Sequence, residues 1–148
     1  MWFIKIIIKI ILSRLSINYS LWRKIGIFRN GRMNELEYSR KIFFGHLNDM
    51  REIRDIKNPT ILEIGPGDGI STAIYASELN STKVYLIDVD DYADKDIKKY
   101  IRIIEAIDKK NKKDISKINS TTEILKRFNA HYLTNGIESL KTIKDESI

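Results

Sequence analysis

Three glycines at alternate positions, Gly65, Gly67 and Gly69, follow the apolar, acid-containing run Ile61-Leu62-Glu63-Ile64. Glycine lacks Cβ, so such an elbow can take positive φ and let a ligand come close to the backbone. Pro66 stiffens the loop and reduces its unfolded-state entropy. A second apolar run, Val84-Tyr85-Leu86-Ile87, delivers Asp88, which is placed to accept hydrogen bonds from both hydroxyls of a ribose. Glu63 flanks the same cleft and is expected to meet a ligand through water or to hold the loop by hydrogen bonds. The types and order of these residues describe a nucleoside site built without phosphate donors.

The spacing narrows the ligand. A dinucleotide fingerprint, G-x-G-x-x-G, needs its third glycine where this chain has Ile70, so a nicotinamide site is the weaker reading. A Walker loop is excluded, because no Gly-Lys-Ser/Thr follows. Glu63, two residues before the first glycine, would repel a pyrophosphate. An acid-flanked site suits a ligand with no phosphate and a cationic part. S-adenosylmethionine, with its ammonium and sulfonium groups, answers that description.

The surrounding pattern predicts the elements that would position this site. Asn34-Glu35-Leu36-Glu37 reads as a capping box, and Leu36, Phe43, Leu47, Met50 and Ile53 recur at helical spacing to about Arg54. Asn58-Pro59 ends that helix and leads into a strand over 60–64. After Gly69 a helix is expected to Leu79, with Asn80 near its C-cap. A second strand covers 83–88, an amphipathic helix carries Ala93, Ile97, Tyr100, Ile101, Ile104 and Ile107, and Ser120-Thr121-Thr122-Glu123 offers another capping box. Ala130 to Leu133 is a third strand. Strands alternating with helices imply right-handed crossovers and a parallel sheet, and near-continuous apolar strands imply cover on both faces.

Leu62-Glu63-Ile64-Gly65-Pro66-Gly67-Asp68-Gly69 resembles the first motif of the class I S-adenosylmethionine-dependent methyltransferases, and Val84 to Asp88 resembles their second-strand acid. Tyr132 to Leu140, followed by Lys144 to Ile148, is similar to their third strand and the loop toward the fourth. The resemblance spans residues 60–148. It implies a Rossmann-like parallel α/β sheet, incomplete at its C-terminus and preceded by N-terminal helices. By the same resemblance Gly65, Gly67 and Gly69 border the methionine moiety and Asp88 binds the ribose; Glu63 and Pro66 complete the candidate cofactor set. The position where many members place an acid near the adenine amine falls at Gly136, with Glu138 the nearest carboxylate, so no adenine contact is assigned. Residues 108–122 read as an insertion. The family's fourth strand would begin where the chain ends, so the chain is expected to be the N-terminal portion of a methyltransferase, with an open sheet edge and an uncovered apolar face. The expected division is a helical segment over 1–57 and a partial cofactor domain over 58–148.

No nucleophile, metal cluster or acid–base pair is evident, which suits methyl transfer: the sulfonium is already activated, and alignment does most of the work. Asp68 reads as a loop residue, His46 as a histidine at the edge of the core, and His131 as structural. The catalytic residues and the acceptor, a small molecule or a glycan, stay unassigned.

With 148 residues, 43% hydrophobic and 31% charged, the chain has the composition of a folded domain. The absence of cysteine excludes disulfides and thiolate metal sites and suits the cytoplasm. The net charge of +6 includes a Lys-rich span from Lys98 to Lys126 that reads as a solvated face, and nucleic-acid binding is not expected. Residues 1–16 read as a strongly apolar helix with Lys5, Lys9 and Ser16 on one face. It is too short to span a bilayer and lacks the order of a secretory signal. It would either lie in a membrane interface at the inner face or pack on the protein. A second class of function follows: a membrane-surface or partner-binding module whose cofactor elbow is vestigial.

Overall fold

A computed structural model describes residues 2–14, 32–33, 35–107, 115, 117–145 and 148. The chain divides into two compact units, residues 1–30 and 31–148. The described part of the first unit is helix α1, Trp2–Ser13. In the second, α2 (Leu36–Ile53) precedes β1 (Thr60–Ile64), α3 (Ser71–Tyr75) with a 3₁₀ turn at Ala76–Leu79, β2 (Lys83–Ile87), α4 (Ile97–Ile107), α5 (Thr121–Arg127), β3 (Ala130–Leu133) and a 3₁₀ helix at Gly136–Thr142. The 36–53 helix falls in the second unit, with the sheet.

The three strands form a parallel sheet in the order β1-β2-β3. The fold is mixed α/β and compatible with a Rossmann-like arrangement. Parallel register sets Ile61, Val84 and Ala130 in one row, and Glu63, Leu86 and Tyr132 in another. These rows face the core, where Val84 and Leu86 pack with Ile70, Ile74, Tyr100 and Ile104. On α2, Phe43 and Phe44 close over Tyr75, with ring centroids 5.6 and 5.9 Å away.

The other sheet face is covered only in part. Its rows are Leu62, Tyr85 and His131, then Ile64, Ile87 and Leu133. Ile87 is buried, but Ile64 is 70% exposed and His131 is exposed, stacked on Tyr85 at 5.4 Å. Apolar runs thus do not mean two covered faces here. β1 is an edge strand: the amide of Gly65 donates to Ile87 (2.8 Å), so by strand alternation the amides of Leu62 and Ile64 look outward. The apolar stripe of α2 is likewise covered only as far as Leu47; Met50 and Ile53 are exposed.

Local signals set the boundaries. Ser120 caps α5 by accepting from the Glu123 amide at 3.2 Å, while the Glu123 carboxylate reaches the Asn119 amide, one residue before the cap. The first expected cap is different: Glu35 occupies the N-cap of α2 but its carboxylate pairs with Arg32 and does not cap the helix, and Asn34 lies outside the described residues. Residues 15 and 16 of the expected first helix, and most of the expected insertion at 108–122, also lie outside them. Asn80 and Asn129 stop their helices in the left-handed region, and Asn58 takes the same region before Pro59. Among the described residues no helix is long and apolar enough to cross a membrane.

Candidate functional site

Parallel strands in one sheet bring their carboxyl ends to one side, and Asp88 ties those ends together. Its amide donates to Leu133 O (2.9 Å) and its carbonyl accepts from Gly136 (2.8 Å), linking β2 to the segment after β3. Its side chain points the other way: Oδ2 accepts from the Gly67 amide (3.0 Å) and Oδ1 from the Val89 amide (2.8 Å). Only 8% exposed, Asp88 is satisfied by backbone donors. An ionised carboxylate offers about four acceptor directions, so two contacts leave capacity for ligand hydroxyls.

The three glycines do different things. Gly65 (φ +75°) and Gly67 (φ +66°) take the left-handed backbone that the tight strand-to-loop turn demands. A Cβ on Gly65 would meet nothing within 4 Å, so the space above it is open. At Gly69 the space is already filled, because a Cβ there would lie 2.6 Å from the Met33 carbonyl oxygen. Met33 is fastened at that place: its amide donates to Asp68 Oδ1 (3.2 Å) and its carbonyl accepts from Ser71 Oγ (2.8 Å). Gly69 thus makes room for a neighbouring backbone, whereas the resemblance gave it to the cofactor. Asp68 also accepts through its carbonyl from the Asp94 amide (3.0 Å), which agrees with its reading as a loop residue. Pro66 is buried beneath the turn.

Glu63 stands on the core face of β1, not at the mouth of the elbow. Burial is the largest influence on it and raises its pKa above the ordinary carboxyl value; a hydrogen bond with the Thr72 side chain and the nearby His46 oppose the rise, and Asp88 adds to it. Glu63 Oε2 is buried without a hydrogen-bond partner. A cavity of about 760 Å³ runs along β1 beside α2, lined by Phe43, His46, Leu47, Leu62, Glu63 and Gly65 among others. His46 is thus an exposed side chain on this cavity, where the sequence suggested the edge of the core.

Tyr132 shapes the other rim. Its hydroxyl accepts from the Tyr92 amide (3.1 Å) and donates to Asp90 O (3.2 Å), fixing the loop after Asp88 against β3. Burial pushes its pKa up to about 12. Neither Tyr132 nor Met33 carried a signal as a site-building residue: one is an apolar position in a strand, the other a lone methionine after a turn. Among the described residues no three side chains of metal-ligating type come together.

Three groups in and around the elbow have unused space or acceptor capacity. Gly65 offers bare backbone and open space, Asp88 offers spare acceptor capacity at the strand ends, and the orphaned Glu63 Oε2 is a buried acceptor awaiting a donor. No family model, no curated protein and no solved structure matches the chain.

Proposed function

We propose that this chain holds S-adenosylmethionine at the elbow over 65–69, as the cofactor half of a methyltransferase of the class I type. The observation carrying the reading is the pairing of a left-handed Gly65–Gly67 turn, open at Gly65, with the Asp88 carboxylate across the strand ends. When bound, S-adenosylmethionine supplies a methyl group already activated on sulfonium. The work of the chain is then positional. The backbone at Gly65 and Gly67 would take the methionine part at close range, and Asp88 would accept from the ribose hydroxyls with the lone pairs its amide bonds leave free. No residue is assigned to deprotonate the acceptor, and the acceptor itself, a small molecule or a glycan, stays open. The absence of cysteine supports a cytoplasmic setting.

Calorimetric titration with S-adenosylhomocysteine tests the proposal on three chains: the parent, Asp88→Ala and Gly65→Asn. Asparagine tolerates positive φ, as Asn58, Asn80 and Asn129 do here, so Gly65→Asn fills the open space with little strain on the fold. Saturable binding to the parent, lost in both variants while Gly65→Asn keeps the parental thermal transition, supports the site. A folded parent that binds no S-adenosylhomocysteine overturns it.

A further inference from the structure

Helix α1 carries a surface that the elbow chemistry does not use. At about 100° per residue, Phe3, Ile4, Ile6, Ile7, Ile10 and Ile11 fall on one contiguous arc of roughly 160°. All six are exposed, from 41% at Ile6 to 65% at Phe3. On the same wheel Lys5 and Lys9 lie opposite the middle of that arc. An exposed apolar face of this breadth marks an interaction site.

The charge says what kind. Residues 1–34 contain Lys5, Lys9, Arg14, Arg23, Lys24, Arg29 and Arg32 and no Asp or Glu. The chain as a whole carries only +6, so its positive excess lies within the first 34 residues of the sequence and the remainder is close to neutral. At 1.5 Å per residue a helix of 12 residues is about 18 Å long, well short of the roughly 30 Å hydrocarbon core of a bilayer. A helix too short to span, with a broad exposed apolar arc and two lysines opposite its middle, is suited to lying in the plane of an anionic bilayer, with lysine heads reaching back to the phosphates.

We propose that α1 is a membrane-surface anchor that binds anionic phospholipid bilayers through Phe3, Ile4, Ile7 and Ile11, with Lys5, Lys9 and Arg14 setting the preference for negative headgroups. The anchor is independent of the methyl-transfer reading.

The test is co-sedimentation of the full chain with phosphatidylcholine vesicles and with vesicles of phosphatidylcholine and phosphatidylglycerol at about 3:1. The parent is expected to partition at least tenfold better onto the anionic vesicles, with the preference shrinking in high salt as screening shortens the reach of the charges. Ile7→Glu/Ile11→Glu should lose that partition by tenfold or more. Lys5→Glu/Lys9→Glu should lose most of the difference between the two vesicle types. Each variant is checked for the parental thermal transition, since these side chains are exposed. Three results would overturn the proposal. One is no sedimentation of folded parent with anionic vesicles. Another is binding indifferent to Ile7→Glu/Ile11→Glu. The third is lipid-free self-association abolished by that same double substitution, which would make the arc an interface between copies.

Discussion

The amide of Gly67 donates to Asp88 Oδ2 at 3.0 Å, across 21 residues of chain. That bond joins the loop after β1 to the end of β2, and so sets the shape of the elbow before any ligand arrives. The residue expected to hold a ribose is first of all the residue that holds the loop.

Asp88→Ala should consequently weaken the fold as well as the site. It leaves the Gly67 and Val89 amides without their acceptor, and an unsatisfied buried donor costs about 1–3 kcal/mol. The midpoint of urea unfolding should fall with its slope unchanged. An unaltered midpoint would mean that water replaces the carboxylate at no cost.

Two glycine-to-alanine changes should move stability in opposite directions. At Gly69 the added Cβ would sit 2.6 Å from the Met33 carbonyl oxygen, which is backbone and cannot swing away; a large loss of thermal stability is expected. At Gly45, inside α2, the added Cβ meets nothing, and alanine should raise stability by about 0.5–1 kcal/mol through helix propensity. Thermal melts of both variants beside the parent decide the matter. Equal effects would discredit the close approach of Met33.

Glu63 should leave a mark on the pH dependence of stability. Its carboxyl is raised in the fold, chiefly by burial, above the ordinary value of 4.5. Between those two values the folded chain binds the more protons, so the contribution of Glu63 to stability is present at low pH and is lost as pH rises through the folded pKa. Glu63→Gln removes this titration. The urea midpoint of the variant should gain on that of the parent as pH rises above the ordinary carboxyl value of 4.5. Parallel profiles would show that Glu63 titrates normally.

Tyr132→Phe removes the acceptor for the Tyr92 amide and the donor to Asp90 O. A destabilisation of about 1 kcal/mol is expected, with faster hydrogen exchange at the Tyr92 amide while the β2 amides keep their protection. Uniform acceleration across the sheet would point to a core defect instead.

Much of this fold was legible in the chain. The strand limits at 60–64 and 130–133 follow from short apolar runs bounded by Asn58-Pro59, the glycines and Asn129, and the cap at Ser120 from its spacing to Glu123. Local chemistry encodes those features. The use of Gly69 was not legible, because it depends on Met33, a partner 36 positions away that no motif announces. Cover of the sheet was misread for a similar reason: alternation reports how apolar a face is, not whether another layer reaches it, and Ile64 is apolar yet exposed. The position of Glu63 on the core face became visible only through the β1–β2 register.

β1 ends the sheet with outward amides at Leu62 and Ile64 and an exposed isoleucine beside them. Such an edge is a template that any extended apolar chain can extend. Where no further chain covers that edge, folded molecules should associate as concentration rises, and light scattering under conditions far from unfolding reads it.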